Sequence, residues 1–299
     1  MHIPFELAPL NKFRPHAGDT PNLAFSPTMT LPGRRHAWRC FGIAVAAWLV
    51  AGGVAVAAPR ISNLSLRGLR TGATTTLVVE GSELLPEPRV WFSAPVARQT
   101  IKEGATAARL EIEFTLDPQV ASGIYLLRMA SASGISEPIA LAVDGLPQSV
   151  FAPQLAALDV ALSGSLEGST VLSTTFTGKQ GQRVWIEAES RRLGAMLNPV
   201  VHLYDARRVQ LAWSPAVASI AGDSRCDATL PADGQYTVEI HDSLYRGASP
   251  GFFRLKIGEF RYADLVFPLA VERGSAATFE FVATNLPADA RSSASWAGL

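Results

Sequence analysis

The fold is decided by three neighbouring stretches: FTGKQGQRVWIEAES at residues 176–190, NPVVHLYDA at residues 198–206 and LPADGQYTVEIHDSLYRG at residues 230–247. Apolar positions in the first and third recur at every second residue, as in Val184, Ile186 and Ala188 and again in Tyr236, Val238 and Ile240. This period is typical of a strand with one buried face. The loop at residues 230–234 adds the Pro and Gly of a turn. The pattern predicts a β-sandwich.

The chain before this region also reads as short β-runs separated by Gly and Pro. The predicted strands are residues 75–80, 89–92, 109–115, 123–129 and 135–143. About seven short strands in about ninety residues match an immunoglobulin-like sandwich. We therefore predict an all-β chain with two tandem immunoglobulin-like or jelly-roll-like β-sandwiches, at residues 59–147 and 148–260.

Each predicted sandwich carries a Gly-x-Tyr motif at the head of a late strand. The motifs are Gly123 with Tyr125, and Gly234 with Tyr236. A Tyr at such a corner can turn its hydroxyl back onto upstream backbone. Core packing alone is the alternative role, so these four residues are structural candidates.

The first sandwich opens with PRISNLSLRGLRTGATTTLVVEGSELLPEPRVWF at residues 59–92. This stretch resembles the start of an IPT/TIG domain, which has Pro-x-Ile, then Gly-x-x-x-Thr, then Val-x-Gly-x-x-Leu. The matching positions are 59–61, 72–76 and 79–84. The resemblance implies an immunoglobulin-type fold and covers the first third of the domain.

The second sandwich resembles the bacterial pre-peptidase C-terminal (PPC) domain. The matching blocks are residues 176–184, 199–205 and 231–238. The resemblance implies an accessory module of secreted peptidases, in which some members bind calcium and substrate. The chain departs from the family where Asn and Asp are usual, because LAWSPAVASIAGD follows at residues 211–223 and VLST precedes Phe176.

Calcium is the one cofactor that the sequence leaves open. The candidate ligands are Asp205, Asp223 and Asp227, since carboxylate oxygens are what calcium prefers. Their spacing fits no fixed calcium loop, and turn or strand-edge roles are the alternative. We predict no other cofactor.

An export leader precedes the sandwiches. Arg34, Arg35 and Arg39 come before an uncharged run at residues 41–58 that ends in Ala-Val-Ala-Ala. This order of a basic, an apolar and a small-residue segment predicts a signal peptide at residues 29–58, cleaved near Ala57 and Ala58. Residues 1–28 would then be a disordered, mis-assigned start before Met29. The alternative is a retained membrane anchor. We expect Sec-type export to the periplasm or the exterior.

The composition excludes several function classes. Without the leader, 21 basic and 24 acidic side chains remain, a net charge of −3. The bases are scattered singly, so nucleic-acid binding is not predicted. Cys226 would be the single cysteine of the exported part, and a small buried side chain is its expected role.

Enzymatic motifs are also weak. Residues 247–251 match the Gly-x-Ser-x-Gly nucleophile elbow by letter, but a strand follows them and His202 and His241 come earlier in the chain. A nucleophile elbow needs a helix after the Ser and a His downstream. The motif therefore predicts a hairpin loop, and the two histidines are predicted as surface imidazoles in preference to a metal pair.

A repeat marks the end of the chain. Residues 70–84 align with residues 272–286 at one constant offset, with Gly72, Thr76 and Leu84 facing Gly274, Thr278 and Leu286. The repeat predicts that residues 261–299 begin a third sandwich, left incomplete, and end in a disordered tail.

Together these features predict a secreted, non-enzymatic binding or spacer module of a multi-domain bacterial protein. Its partners would be extracellular protein or polysaccharide, with a membrane contacted only through an uncleaved leader. The alternative is the accessory part of a secreted peptidase whose catalytic domain lies elsewhere. Trp91, Trp185 and Trp213 are candidates for a binding patch, with core packing as the alternative. The sequence leaves the oligomeric state open.

Overall fold

The structure is a computed structural model that describes residues 57–263, 265–272, 275–282 and 291–295. The predicted start at residues 1–28 and nearly all of the predicted signal peptide lie outside these ranges. Ala57 and Ala58, at the expected cleavage site, are described and exposed. Within the described ranges the only helices are two short 3₁₀ turns, Arg191–Leu193 and Ala218–Ile220, and none is long and apolar enough to cross a bilayer. The all-β fold class is confirmed.

The first sandwich has one core between two sheets. Its strands are β1 (Arg60–Leu64), β2 (Gly68–Arg70), β3 (Thr74–Ser82), β4 (Arg89–Phe92), β5 (Val96–Ile101), β6 (Arg109–Leu116), β7 (Gly123–Ser131), β8 (Gly134–Ile135) and β9 (Ile139–Asp144). One sheet has the order β1-β3-β6-β5, and the other has β2-β9-β7-β4 with β8 paired to β7. Leu77, Ile112 and Phe114 of the first sheet and Leu127 and Leu141 of the second are fully buried in this core.

The second sandwich repeats this arrangement with a separate core. Its strands are β10 (Gln148–Val150), β11 (Val160–Glu167), β12 (Val171–Gly178), β13 (Arg183–Glu189), β14 (Pro199–Tyr204), β15 (Gln210–Ser214), β16 (Ser224–Thr229), β17 (Gly234–Asp242) and β18 (Gly247–Gly258). The sheets have the orders β10-β11-β18-β13-β16 and β12-β17-β14-β15. Ile186 and Phe253 of one sheet pack with Leu203, Val238 and Ile240 of the other.

A third sheet follows, formed by β19 (Leu265–Phe267), β20 (Ala276–Val282) and β21 (Arg291–Ser295). β20 begins 202 residues after β3, the offset of the sequence repeat. Residues 291–295, which we expected inside a disordered tail, form β21 against β20. Strand pairing satisfies backbone donors and acceptors whatever the side chains are, so a low-complexity sequence can still complete a ladder.

A group of buried and partly buried charged side chains lies where the two sandwiches meet. This charge cluster comprises Asp144, Glu187, Glu189, Arg192, Asp223, Arg225, Arg254 and Lys256. The sequence pattern predicts solvent on this face of β13, because Glu187 and Glu189 alternate with apolar residues. The structure corrects this expectation: all residues of β13 after Arg183 are buried. Ion pairing within the cluster makes that burial tolerable.

Arg254 connects the two sandwiches through this cluster. It is fully buried, and its Nη1 donates to Glu189 Oε2 at 2.6 Å while Nη2 donates to Asp144 Oδ2 at 2.7 Å. Its Nε donates to Gln148 Oε1 at 3.1 Å. Asp144 ends β9 of the first sandwich, whereas Glu189 lies in the second, so a single guanidinium holds both.

Candidate functional site

An exposed apolar groove lies on the outer face of the second sheet of the first sandwich. We call it the Trp91 groove; its volume is about 450 Å³ and it is lined by Arg89, Val90, Trp91, Ser93, Leu126, Arg128, Ala130 and Ile135. Val90 and Phe92 of β4 point into the core, so the strand period turns Arg89 and Trp91 outward. Cross-strand pairing then places Arg128 of β7 opposite Trp91.

The groove presents a large apolar surface with two cations. Trp91 is 75% exposed, Ile135 62% and Leu126 46%. An outer sheet face normally carries polar residues, so contiguous exposed apolar side chains mark an interaction surface. Arg89 and Arg128 supply guanidinium donors beside the indole, and the Ser93 side-chain oxygen already accepts the Leu126 N–H at 2.8 Å. The arrangement can hold an apolar group next to an anion.

A second group of functional side chains lies on the sheet β12-β17-β14-β15 of the other sandwich. We call it the histidine cluster: His202, His241, Tyr245, Trp213 and Gln210. Register explains the meeting, because His202 lies opposite Glu239 while His241 lies opposite Val200, one diagonal step apart. The Nε2 atoms of the two imidazoles are 3.0 Å apart.

Of the two histidines, which the sequence predicts as surface imidazoles, only His202 is partly exposed. His241 is only 6% exposed. Its Nδ1 lies 2.8 Å from the Asp242 main-chain oxygen, and the Tyr245 hydroxyl lies 3.3 Å from its Nε2. The His202 Nδ1 lies 3.0 Å from Gln210 Oε1. The strand period placed both rings on the outer face correctly, but it could not show that Tyr245 stacks on His241 with ring centroids 4.3 Å apart.

The three calcium candidates have different surroundings. Asp223 is fully buried, and its Oδ1 accepts the backbone N–H groups of Ser190 and Arg191 at 2.8 and 2.7 Å. Asp227 pairs with Arg183 at 2.7 Å, and Asp205 accepts the Val209 N–H at 2.8 Å in a turn. In the part of the chain that the structure covers, no group of three or more His, Cys, Asp or Glu is placed to hold a metal ion. Calcium binding stays a prediction.

The two corner tyrosines make the same contact. The hydroxyl of Tyr125 donates to the Ala121 carbonyl oxygen at 2.9 Å, and that of Tyr236 donates to the Ala232 carbonyl oxygen at 2.6 Å. Gly123 and Gly234 begin β7 and β17, two residues before each Tyr. Each hydroxyl therefore ties a late strand to the loop just before it.

The remaining reactive candidates occupy structural positions. Residues 247–251 begin β18, so a strand and no helix follows Ser249. Of these residues only Gly247 has a partner in β11, opposite Glu167, and the regular pairing resumes at Phe252. Cys226 lies in β16, and burial followed by the charge of Asp227 raises the pKa of its thiol to about 12. A thiol with so high a pKa is a poor nucleophile.

The three candidate Trp residues separate into two classes. Trp91 and Trp213 are 75% and 54% exposed, whereas Trp185 is 5% exposed and packs edge-on against Tyr262 at 5.0 Å between ring centroids. Trp185 shares its face of β13 with Glu187 and Glu189, the face that the charge cluster covers. No pattern in the sequence indicates that covering surface, so Trp185 could not be distinguished from the other two Trp residues.

No family model and no curated protein matches the chain. Similar solved structures include the secreted serine protease VesC from Vibrio cholerae, at 10% identity and a TM-score of 0.25 over 66% of this chain and 50% of that one. They also include the SGBP-B protein of the Bacteroides ovatus mixed-linkage glucan utilization locus, at 10% identity and a TM-score of 0.24. That match covers 61% of this chain and 73% of SGBP-B. The Yersinia pseudotuberculosis adhesin InvE is similar at 12% identity and a TM-score of 0.23, and the match covers 69% of this chain and 61% of InvE. The chain thus spans half the length of VesC.

Proposed function

We propose that this chain is an exported, non-enzymatic binding module, and that the Trp91 groove is its recognition surface. The observation that carries the proposal is Trp91 itself: a 75% exposed indole inside a groove, flanked by two guanidiniums and exposed aliphatic side chains. Exposing so much apolar surface is unfavourable unless a partner covers it. Trp and Arg are the residue types that dominate binding energy at interfaces.

The groove favours a protein segment over a polysaccharide. A sugar needs hydrogen-bond partners for its many hydroxyls, whereas most of the exposed groove surface is apolar and belongs to Trp91, Leu126, Ala130 and Ile135. The Val90 carbonyl oxygen on edge strand β4 is also occupied, because the Gln99 side chain donates to it at 3.0 Å. The ligand class that fits is therefore a large apolar side chain followed by a carboxylate, inserted into the groove without pairing along β4.

Export and the domain resemblances belong to the same proposal. A leader at residues 29–58 would deliver the chain to the envelope or the exterior, where IPT/TIG-like and PPC-like sandwiches would present their surfaces. The charge cluster supports a module that keeps a fixed shape, because Arg254 connects the two sandwiches.

The test is selection of phage-displayed peptides on the immobilised full chain, beside a panel of cell-wall polysaccharides. We expect enriched peptides that combine a large apolar residue with Asp or Glu. Trp91→Ala should weaken their Kd by about 30-fold, which corresponds to about 2 kcal/mol for an interface hot spot. Trp213→Ala is the matched control, since it removes another exposed indole outside the groove, and its Kd should not change.

Arg128→Gln should weaken binding less than Trp91→Ala and should reduce the salt dependence of the Kd, because it removes one cation next to the carboxylate. Peptides that bind the Trp91→Ala variant as tightly as the original chain would refute the groove. Binding of polysaccharide alone, with no peptide enriched, would refute the ligand class.

A further inference from the structure

A pocket with a volume of about 470 Å³ lies between the two sandwiches, and we call it the Arg67 pocket. Arg60, Arg67 and Ala140 of the first sandwich line it together with Leu193 and Phe252 of the second. Among the described residues, its lining includes these two arginines and no Asp or Glu. The pocket therefore has the charge of an anion site.

Arg67 is a buried cation without an acidic partner. Only 4% of the residue is exposed, yet it forms no ion pair within the described part of the chain. Its Nη2 donates to Asn63 Oδ1 at 2.7 Å, whereas Nε and Nη1 have no acceptor among the described residues. Burial lowers the pKa of the guanidinium to about 10, so the group is still charged at neutral pH. A buried charge normally has an ionic partner.

The neighbours of Arg67 compensate its charge only in part. Asn63 is a neutral amide, and its Nδ2 donates to Glu80 Oε2 at 3.2 Å, so an entire side chain separates Arg67 from that carboxylate. The guanidinium carbon of Arg67 lies 3.6 Å from the centroid of the Phe252 ring. An aromatic face stabilises a cation but does not take the place of an oxygen acceptor for its N–H groups. The Nε and Nη1 donors are therefore available to an anion.

Both sandwiches fix the backbone of Arg67. Its N–H donates to Ser163 Oγ of β11 at 2.8 Å, and its carbonyl oxygen accepts the Ala142 N–H of β9 at 3.0 Å. The residue is thus held at the pocket before any ligand arrives. Donors that are already in place lose less freedom when a ligand binds.

We propose that the Arg67 pocket binds a small organic carboxylate with an apolar body. The carboxylate accepts from the Arg67 guanidinium, and Arg60 is the second cation of the lining. The apolar body lies against Leu126 and Leu193. A pocket of this volume matches a ligand of small-molecule size. The site is separate from the Trp91 groove, although Leu126 lines both.

The test is isothermal titration calorimetry of the full chain with sodium octanoate, with octanol as the uncharged analogue. We expect saturable binding of octanoate at one equivalent. Octanol should bind at least about tenfold more weakly, because it lacks the charge that the guanidinium recognises. Acetyl-Ala-Ala-Leu is titrated beside octanoate, since the end of an apolar peptide offers the same carboxylate chemistry. The tighter of the two identifies the source of the carboxylate.

Two variants change the pocket in different ways. Arg67→Met removes the guanidinium but keeps an unbranched side chain that can pack against Phe252, and it should weaken octanoate binding by at least about tenfold. Ser62→Glu keeps Arg67 and adds a competing carboxylate at an exposed position of the lining, so it should also weaken octanoate binding. Because position 62 is exposed, this variant tests the pocket even if Arg67→Met does not fold.

Arg207→Met is the matched control, because it makes the same substitution at an exposed side chain outside the pocket, and its Kd for octanoate should not change. Trp91→Ala should leave this Kd unchanged as well. The two proposals can therefore fail separately: loss of peptide binding to the Trp91 groove would leave the octanoate result as it stands.

Four results would overturn the proposal. In the first, octanoate produces no saturable heat. In the second, octanol binds as tightly as octanoate, which would make the pocket merely apolar. In the third, Arg67→Met and Ser62→Glu bind octanoate like the original chain. In the fourth, Trp91→Ala abolishes octanoate binding, which would assign the probe to the Trp91 groove.

Discussion

Replacing Arg254 by Met tests how the two sandwiches are held together. Met fills much of the Arg volume but leaves the carboxylates of Glu189 and Asp144 without their guanidinium, at contacts of 2.6 and 2.7 Å. Removing one partner of a buried ion pair costs about 3–5 kcal/mol. Glu189 keeps Lys256 at 3.0 Å, and the Asp144 side chain is 20% exposed and regains some water. We therefore expect Arg254→Met to lower the free energy of unfolding by about 3 kcal/mol, the lower end of this range.

The assay is urea unfolding of the full chain at neutral pH, monitored by circular dichroism. A loss of about 3 kcal/mol lowers the melting temperature by about 6–12 °C for a unit of this size. Arg207→Met is the matched control, because the Arg207 side chain is 84% exposed beside Asp205, and no measurable change is expected. The reasoning about the charge cluster is refuted if the free energy of unfolding of Arg254→Met lies within about 1 kcal/mol of that of the original chain. It is also refuted if Arg207→Met lowers the free energy of unfolding as much as Arg254→Met does.

Three further predictions concern buried groups. Burial would raise the pKa of Glu189, but the positive charges of Lys256, Arg254 and Arg192 hold this pKa well below its usual range. The contribution of the Glu189 carboxylate to stability is therefore complete above the unfolded-state pKa of about 4.3, and it is lost progressively as the pH falls below that value. The difference between the urea midpoints of Glu189→Gln and the original chain should therefore narrow steadily as the pH falls from about 4 to about 3, and a constant difference would contradict this. Cys226, partly buried and with a thiol pKa raised to about 12, should react with a disulfide reagent much more slowly in the native chain than after urea unfolding; equal labelling rates would refute the raised pKa. Tyr236→Phe should cost about 1 kcal/mol in urea unfolding, because the lost hydroxyl donates to the Ala232 carbonyl oxygen in a buried corner; an unchanged midpoint would leave core packing as its only role.

Strands with one buried face could be predicted from the sequence. β4 has the predicted bounds, and β6 differs by one residue, with Leu110, Ile112 and Phe114 fully buried as their alternation indicates. The predicted strand at residues 135–143 is divided into β8 and β9, because Glu137 and Pro138 interrupt the ladder.

Strands without clear alternation were missed. β1 contains a register shift between Ile61 and Asn63, so its inward positions do not recur at every second residue. β5 is an edge strand in which each residue is at most partly buried, and VARQTI shows no apolar face. β2 has only three residues, too few for a period to appear.

Both candidate sites depend on facts that a linear pattern cannot contain. The alternation in RVWF predicts that Trp91 points away from the core. Its groove partners Leu126 and Ile135, however, lie on strands more than thirty residues later in the chain. The two histidines are thirty-nine positions apart, and only the register of β14 against β17 brings their Nε2 atoms together. Alternation predicts the face of each ring, whereas register decides which rings meet.

The interface between the two sandwiches is held by the ion pairs of the charge cluster. An apolar join would be at least as stable, since apolar substitutes for a buried ion network often gain 1–4 kcal/mol. An apolar join, however, tolerates sliding, whereas the Arg254 fork is satisfied only when Glu189, Asp144 and Gln148 occupy their places together. The polar residues of β13 and β18 therefore favour one relative placement of the two sandwiches over maximal stability.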